Sequence, residues 1–189
     1  MPIDRRTLAR HAAIALTGGS LLSTLPVVSA KAATRAEIDA QVATAMATLR
    51  AQPNTAPLFE RAQAVLIFPR IISGGLIVGG QYGEGALFRG NQRQAYYQIA
   101  GASFGLQAGA QVAGLAMFFM TDEALRALQA ANGWEIGTGP SVVALDRGVQ
   151  ANVTATTLRE PVYAVTFAQE GLMAALAING TKITPISPN

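Results

Sequence analysis

FPRIISGGLIVGGQYGEGALF, residues 68–88, holds six glycines in 21 residues (Gly74, Gly75, Gly79, Gly80, Gly83 and Gly85) and only two charges, Arg70 and Glu84. Such a segment suits a phosphate cradle, a membrane-packing surface or a pair of strands. A P-loop requires G-x-x-x-x-G-K-[S/T], and no lysine follows Gly79 or Gly80. A dinucleotide fingerprint requires G-x-G-x-x-G opening a helix, but Gly80, Gly83 and Gly85 carry the reverse spacing. They lead into Ala86-Leu87-Phe88-Arg89, which is strand-like. The strand pair remains, with these six glycines as structural residues that supply positive φ or let two backbones approach closely.

Working outward, Ala64 to Phe68 is an apolar strand, preceded by a short helix from Pro57 to Gln63. Thr34-Arg35-Ala36-Glu37 forms a capping box, and Ile38, Val42, Ala45, Met46 and Leu49 follow at helical spacing, predicting a helix over 35–50. Thr121-Asp122-Glu123 opens another helix that stops at Asn132-Gly133. Strands are expected at 153–158, 162–167, 172–178 and 182–186, the last two joined by an Asn179-Gly180 turn. From Gln94 to Met120 the chain has no charge, and Gly101, Gly105 and Gly109 recur at the small-xxx-small spacing of membrane helices. Residues 103–112 nonetheless alternate strictly. Phe104, Leu106, Ala108, Ala110 and Val112 take one face, Ser103, Gly105, Gln107, Gly109 and Gln111 the other, which predicts a half-buried strand.

The first 32 residues have the three-part layout of an export signal. Arg5-Arg6-Thr7-Leu8 suits the twin-arginine type, and small residues at Val28-Ser29-Ala30 or Ala30-Lys31-Ala32 suit cleavage after Ala30 or Ala32. The chain then divides into a signal, 1–32, and one domain, 33–189, expected in the periplasm, either free or membrane-associated. The formal charge of +3 resides in the signal, where Arg5, Arg6, Arg10 and Lys31 face Asp4 alone. Residues 33–189 carry ten Lys/Arg against ten Asp/Glu, so nucleic acid is not an expected partner. The lone histidine, His11, also belongs to the signal, and the chain has no cysteine. This excludes from the domain a Ser–His–Asp triad, a thiol nucleophile, thiolate or imidazole zinc sites and disulfides. No metal site or cofactor is expected.

The run 64–85 (AVLIFPRIISGGLIVGGQYGEG), the spaced GASFGLQAGAQ at 101–111, the MTDEAL helix start at 120–125 and the ending YAVTFAQEGLMAALAINGTKI at 163–183 together resemble the SYLF family. The resemblance covers residues 36–186. It implies a single compact domain of mixed helix and strand that binds membrane lipids and is no enzyme, so no catalytic residue is expected. Eukaryotic members are associated with phosphoinositide binding, membrane remodelling and actin, and they lean on a basic amphipathic N-terminal helix. Here residues 35–50 contain only Arg35 and Arg50 against Glu37 and Asp39, which weakens an electrostatic role for that helix.

The expected fold is α+β: one domain, mainly antiparallel sheet or a partly closed barrel, with a few flanking helices. The expected function is contact with anionic phospholipid headgroups, for which Arg70, Arg89 and Arg93 are the lipid-binding candidates. If 71–78 pairs with 82–88, Arg70 and Arg89 fall at the same end and reach one phosphate. Phe88, Tyr96, Tyr97 and Trp134 are the aromatic candidates for an interfacial contact. Two alternatives stand beside this. One is a membrane-inserting or pore-forming protein built on the 101–114 glycines. The other is a carboxylate-based hydrolase using Glu84, Asp146, Glu160 or Glu170 with Tyr82 or Lys182.

Overall fold

A computed structural model describes residues 33–75, 78–104, 109–145, 158–170 and 180–189. The expected signal, Asp146, most of the 153–158 strand, the 172–178 strand and Asn179 lie outside the described residues. The element order is α1 (Arg35–Arg50), α2 (Ala56–Arg61), β1 (Ala64–Gly75), β2 (Val78–Arg89), β3 (Gln92–Phe104), β4 (Gly109–Phe119), α3 (Asp122–Ala130), β5 (Trp134–Glu135), β6 (Val142–Leu145), β7 (Val162–Glu170) and β8 (Lys182–Ile186). The strands form one curled half-barrel sheet in the order β5-β8-β3-β2-β1-β4-β7-β6. Every pairing is antiparallel except β6 with β7. This is the α+β architecture expected from the sequence.

Helix α1 starts where its capping box requires. The Glu37 amide donates to Thr34 Oγ1 at 3.3 Å, and the Thr34 amide donates to the Glu37 carboxylate at 2.7 Å. Its apolar stripe, Ile38, Val42, Ala45 and Leu49, packs on one face of the sheet with Val65, Ile67, Ala86 and Phe118. Burying each of the large aliphatic side chains contributes about 1.5–3 kcal/mol. The opposite face packs Leu66, Phe68, Ile71, Leu115, Met117 and Phe119 against α3, through Ala124, Leu125 and Leu128, and against Trp134. Central strands covered on both faces explain why 64–68 reads as an unbroken apolar run instead of an alternating one.

The glycine-rich segment is a strand pair. Residues 64–75 run antiparallel to 78–89, with Gly74 opposite Gly80 and Gly75 opposite Gly79. Close approach, not positive φ, accounts for two of its glycines. A Cβ on Gly83 would stand 2.8 Å from the Arg70 carbonyl oxygen, and one on Gly85 would stand 2.8 Å from the Ile67 carbonyl carbon. Positive φ occurs elsewhere, at Gly90 (59°) in the β2–β3 turn and, among the described residues, at Gly133, Gly137 and Gly180.

Two expectations change. The alternating run 103–112 is shared by two strands, because β3 ends at Phe104 and β4 begins at Gly109, with 105–108 outside the described residues. Its polarity is also inverted at the end: Gln111 is buried, 6% exposed, whereas Val112 is half-buried. Gln111 stands opposite Ser73, which stands opposite Gln81, and all three are buried on one face. The other face is open at this level, because α1 begins level with Glu84 and leaves the residues beyond it uncovered.

Candidate functional site

Two irregularities at the same height of the sheet create the most distinctive surface feature. On β1, three steps from Ile67 to Arg70 match two steps on β2, and the same extra residue appears against β4 between Phe68 and Ile71. Pro69, which has no amide to donate, sits in this bulge. On β7, three steps from Phe167 to Glu170 match two on β4, from Gly114 to Val112. Ala168 takes up the extra residue with φ 46°, a left-handed conformation that costs a non-glycine residue about 1 kcal/mol or more. Bulges re-aim side chains, and these two flank β4 from opposite sides.

Between the bulges and α1 lies an apolar groove of about 480 Å³, lined by Ala40, Gln41, Thr44, Ala45 and Thr48 of the helix and by Pro69, Arg70, Phe167 and Ala168 of the sheet. The helix side is a strip of small residues at four-residue spacing, Ala40, Thr44 and Thr48. Both threonine hydroxyls donate back into the helix at 3.0 Å, Thr44 to the Ala40 carbonyl and Thr48 to the Thr44 carbonyl. Their hydrogen bonding is therefore met internally. The sheet side depends on Gly114, whose missing Cβ is the space that the ring of Phe167 occupies.

Among the described residues that line this groove, Arg70 is the one cation. Its side chain is exposed and makes no ion pair or hydrogen bond among the described residues. Glu84, its cross-strand partner, is engaged elsewhere: one carboxylate oxygen accepts from the Ala33 amide at 2.9 Å, the other from the Tyr82 hydroxyl at 2.7 Å. One residue pair further out, Ile72 stands opposite Tyr82. Among the described residues these are the exposed large hydrophobic side chains, 44% and 42%. The pKa of the Tyr82 hydroxyl is pushed up to about 12, first by desolvation, then by its hydrogen bond to Glu84 and by that carboxylate's charge.

The three candidate arginines are not brought together. Register places Arg70 opposite Glu84, five residues along β2 from Arg89, roughly 17 Å at the usual strand rise. Arg89 pairs with Asp122 at the start of α3, at 3.1 Å. Arg93 pairs with Asp39 of α1 at 2.6 Å and stacks 4.7 Å above the Tyr96 ring, whose hydroxyl donates to the same carboxylate. The shared-phosphate arrangement of Arg70 and Arg89 is thus replaced by two paired arginines and one, Arg70, without a side-chain partner among the described residues. The aromatic candidates turn inward as well: Tyr96, Tyr97 and Trp134 are buried, and Phe88 packs half-buried against the α1 side of the core.

Of the carboxylates considered for hydrolysis, Glu84 stands on β2 and Glu170 ends β7, with β1 and β4 between them. Glu160 precedes β7, and its amide donates to the Tyr163 hydroxyl. Lys182 opens β8. Among the described residues no three His, Cys, Asp or Glu side chains come close enough to hold a metal ion. None of the helix strip, Phe167, Ala168 or Gly114 is singled out by the sequence. The traceable signal is the Ala40-Thr44-Thr48 spacing, small residues on the flank of an amphipathic helix.

The described residues thus combine a curled antiparallel sheet, an apolar groove beneath one helix, and carboxylates set on separate strands. The family model described as Ysc84, "Las17-binding protein actin regulator", a model of the SYLF family, matches residues 100–187. The match runs from the second half of β3 through β8. The glycine-rich strand pair, α1 and Arg70 precede it. No curated protein matches the chain. The SYLF family is generally a binding domain rather than an enzyme.

Proposed function

We propose that this domain is a non-enzymatic lipid-binding protein that works at a membrane after export to the periplasm, with an anionic phospholipid as its ligand. The observation that carries the reading is Arg70, an exposed guanidinium at the rim of an apolar groove with no side-chain partner among the described residues. A phosphate takes two parallel hydrogen bonds from a guanidinium, and an arginine already held by a carboxylate would have to give that up. The groove gives apolar groups of the lipid a surface, and the Ile72–Tyr82 pair offers a second apolar contact beside it. Arg89 and Arg93, engaged with Asp122 and Asp39, add only long-range attraction to an anionic surface. The export signal, Arg5-Arg6 with its cleavable end, supports the location. The actin part of the family description stays with the family, since an exported bacterial chain would not meet actin.

The test is flotation of the exported, processed protein with vesicles of phosphatidylglycerol and phosphatidylcholine, and with phosphatidylcholine alone. Wild type floats with the anionic vesicles, and Arg70→Glu largely loses this. Failure of the wild type to float with either vesicle overturns the function. Release of an encapsulated dye would support the membrane-inserting alternative instead.

A further inference from the structure

Glu84 is a half-buried carboxylate whose cross-strand arginine does not pair with it. Its Oε2 instead accepts from the backbone nitrogen of Ala33, 51 residues away in sequence. Ala33 is the residue that becomes the N-terminus if the signal is cut after Ala30-Lys31-Ala32. The surroundings suit a chain end. The Ala33 methyl packs against the α1 side of the core, the next amide, Thr34, closes the capping box, and Arg35 donates its amide to the Asn189 carbonyl at 3.0 Å. Tyr82 fixes the other carboxylate oxygen from the far side.

We infer that Glu84 is the receptor for the mature N-terminus: signal peptidase cuts between Ala32 and Ala33, and the new α-ammonium forms an ion pair with the Glu84 carboxylate. In the cut, water adds its hydroxyl to the Ala32 carbonyl carbon. The Ala33 nitrogen leaves with the proton and takes one more from solvent. An amide offers Glu84 one neutral N–H, whereas an ammonium offers three donors and a positive charge that no described residue pairs with this carboxylate. The carboxylate's charge already strengthens the amide hydrogen bond, and the ammonium adds direct attraction between two opposite charges. Cleavage after Ala30 would leave Lys31 and Ala32 attached, keep Ala33 as an amide and forgo the pair. The two sites that the sequence leaves equal are therefore unequal in the fold. Processing would also lock the start of α1 to the central strand β2, beside the groove.

This inference rests on the export reading, and one experiment separates the two. The full chain is expressed in a host with twin-arginine export, and the periplasmic product is weighed by intact mass spectrometry. The expected product begins at Ala33. A product beginning at Lys31 overturns the inference and leaves export standing, while a chain that is never processed overturns both. The second arm compares Glu84→Gln in the processed protein and in a full-length precursor held in the cytoplasm by Arg5→Lys/Arg6→Lys. The ion pair predicts that Glu84→Gln lowers the thermal midpoint by about 2–4 °C more in the processed protein than in the precursor. Equal shifts in the two forms overturn it. If the Glu84→Gln variant fails to fold, the mass of the wild-type product alone decides.

Discussion

Arg70 and Glu84 stand directly opposite each other on β1 and β2, and they do not form an ion pair. Glu84 gives its two oxygens to Ala33 and Tyr82, and Arg70 is left facing the groove. A cation near an anionic surface contributes about 1 kcal/mol, so reversing its charge removes about 2 kcal/mol. Arg70→Glu should therefore weaken binding to phosphatidylglycerol vesicles by at least about tenfold, with an unchanged thermal midpoint. Binding isotherms at two salt concentrations check this, and an unchanged affinity would remove Arg70 from the site.

Arg89 behaves differently. It and Asp122 are both more than half exposed, 54% and 55% for the side chains, and surface pairs of this kind contribute less than about 1 kcal/mol. Arg89→Ala should cost little stability and lower vesicle affinity less than Arg70→Glu does. A denaturation curve and the same binding isotherm measure both.

Two glycines of the segment 68–88 should separate sharply on substitution. A Cβ at Gly85 runs into the Ile67 carbonyl, which is backbone of the neighbouring strand and has no room to yield. Gly85→Ala should destabilise by roughly 3 kcal/mol, within the range of overpacked cores. At Gly80 the nearest atom, the Gly101 carbonyl oxygen, is 3.9 Å from the added carbon. Gly80→Ala should be neutral or stabilise by about 0.4–1 kcal/mol through the unfolded chain. Urea midpoints of the two variants decide the matter, and equal effects would contradict the register.

Alkaline pH provides a further test. The Tyr82 hydroxyl titrates near 10 when unfolded and is held up at about 12 in the fold. Its contribution to stability is fully present below pH 10 and is lost as the pH rises toward 12. Tyr96 and Tyr97 are raised as well, both chiefly by burial, so all three rings contribute to the loss of wild-type stability above pH 10. Tyr82→Phe should make the decline between pH 10 and 12 shallower. Thermal midpoints against pH give the slopes, and an unchanged slope would mean that the fold does not raise the Tyr82 hydroxyl.

Local sequence determined the elements whose causes are local. The Thr34–Glu37 box and the stripe from Ile38 to Leu49 define α1, and β branching with glycine spacing makes 64–89 a strand pair. If residues 1–32 are an export signal, as proposed, the net charge and the lone histidine leave with it, which is why neither nucleic acid nor histidine chemistry is expected of the domain. Of the residues that line the groove, the sequence singled out one, Arg70. Proximity along the chain suggested that Arg89 and Arg93 join it, but antiparallel register and the carboxylates of α1 and α3 separate them. The groove itself was decided by tertiary structure alone. It depends on two bulges, at Pro69 and Ala168, on strands about a hundred positions apart, and on Phe167 lying over Gly114. A bulge is defined by counting residues against a partner strand, and periodicity within one strand carries no record of that partner. The same holds for Ala33 and Glu84: the sequence suits two cleavage sites equally for the proposed signal, and only the fold sets the Glu84 carboxylate against the Ala33 nitrogen.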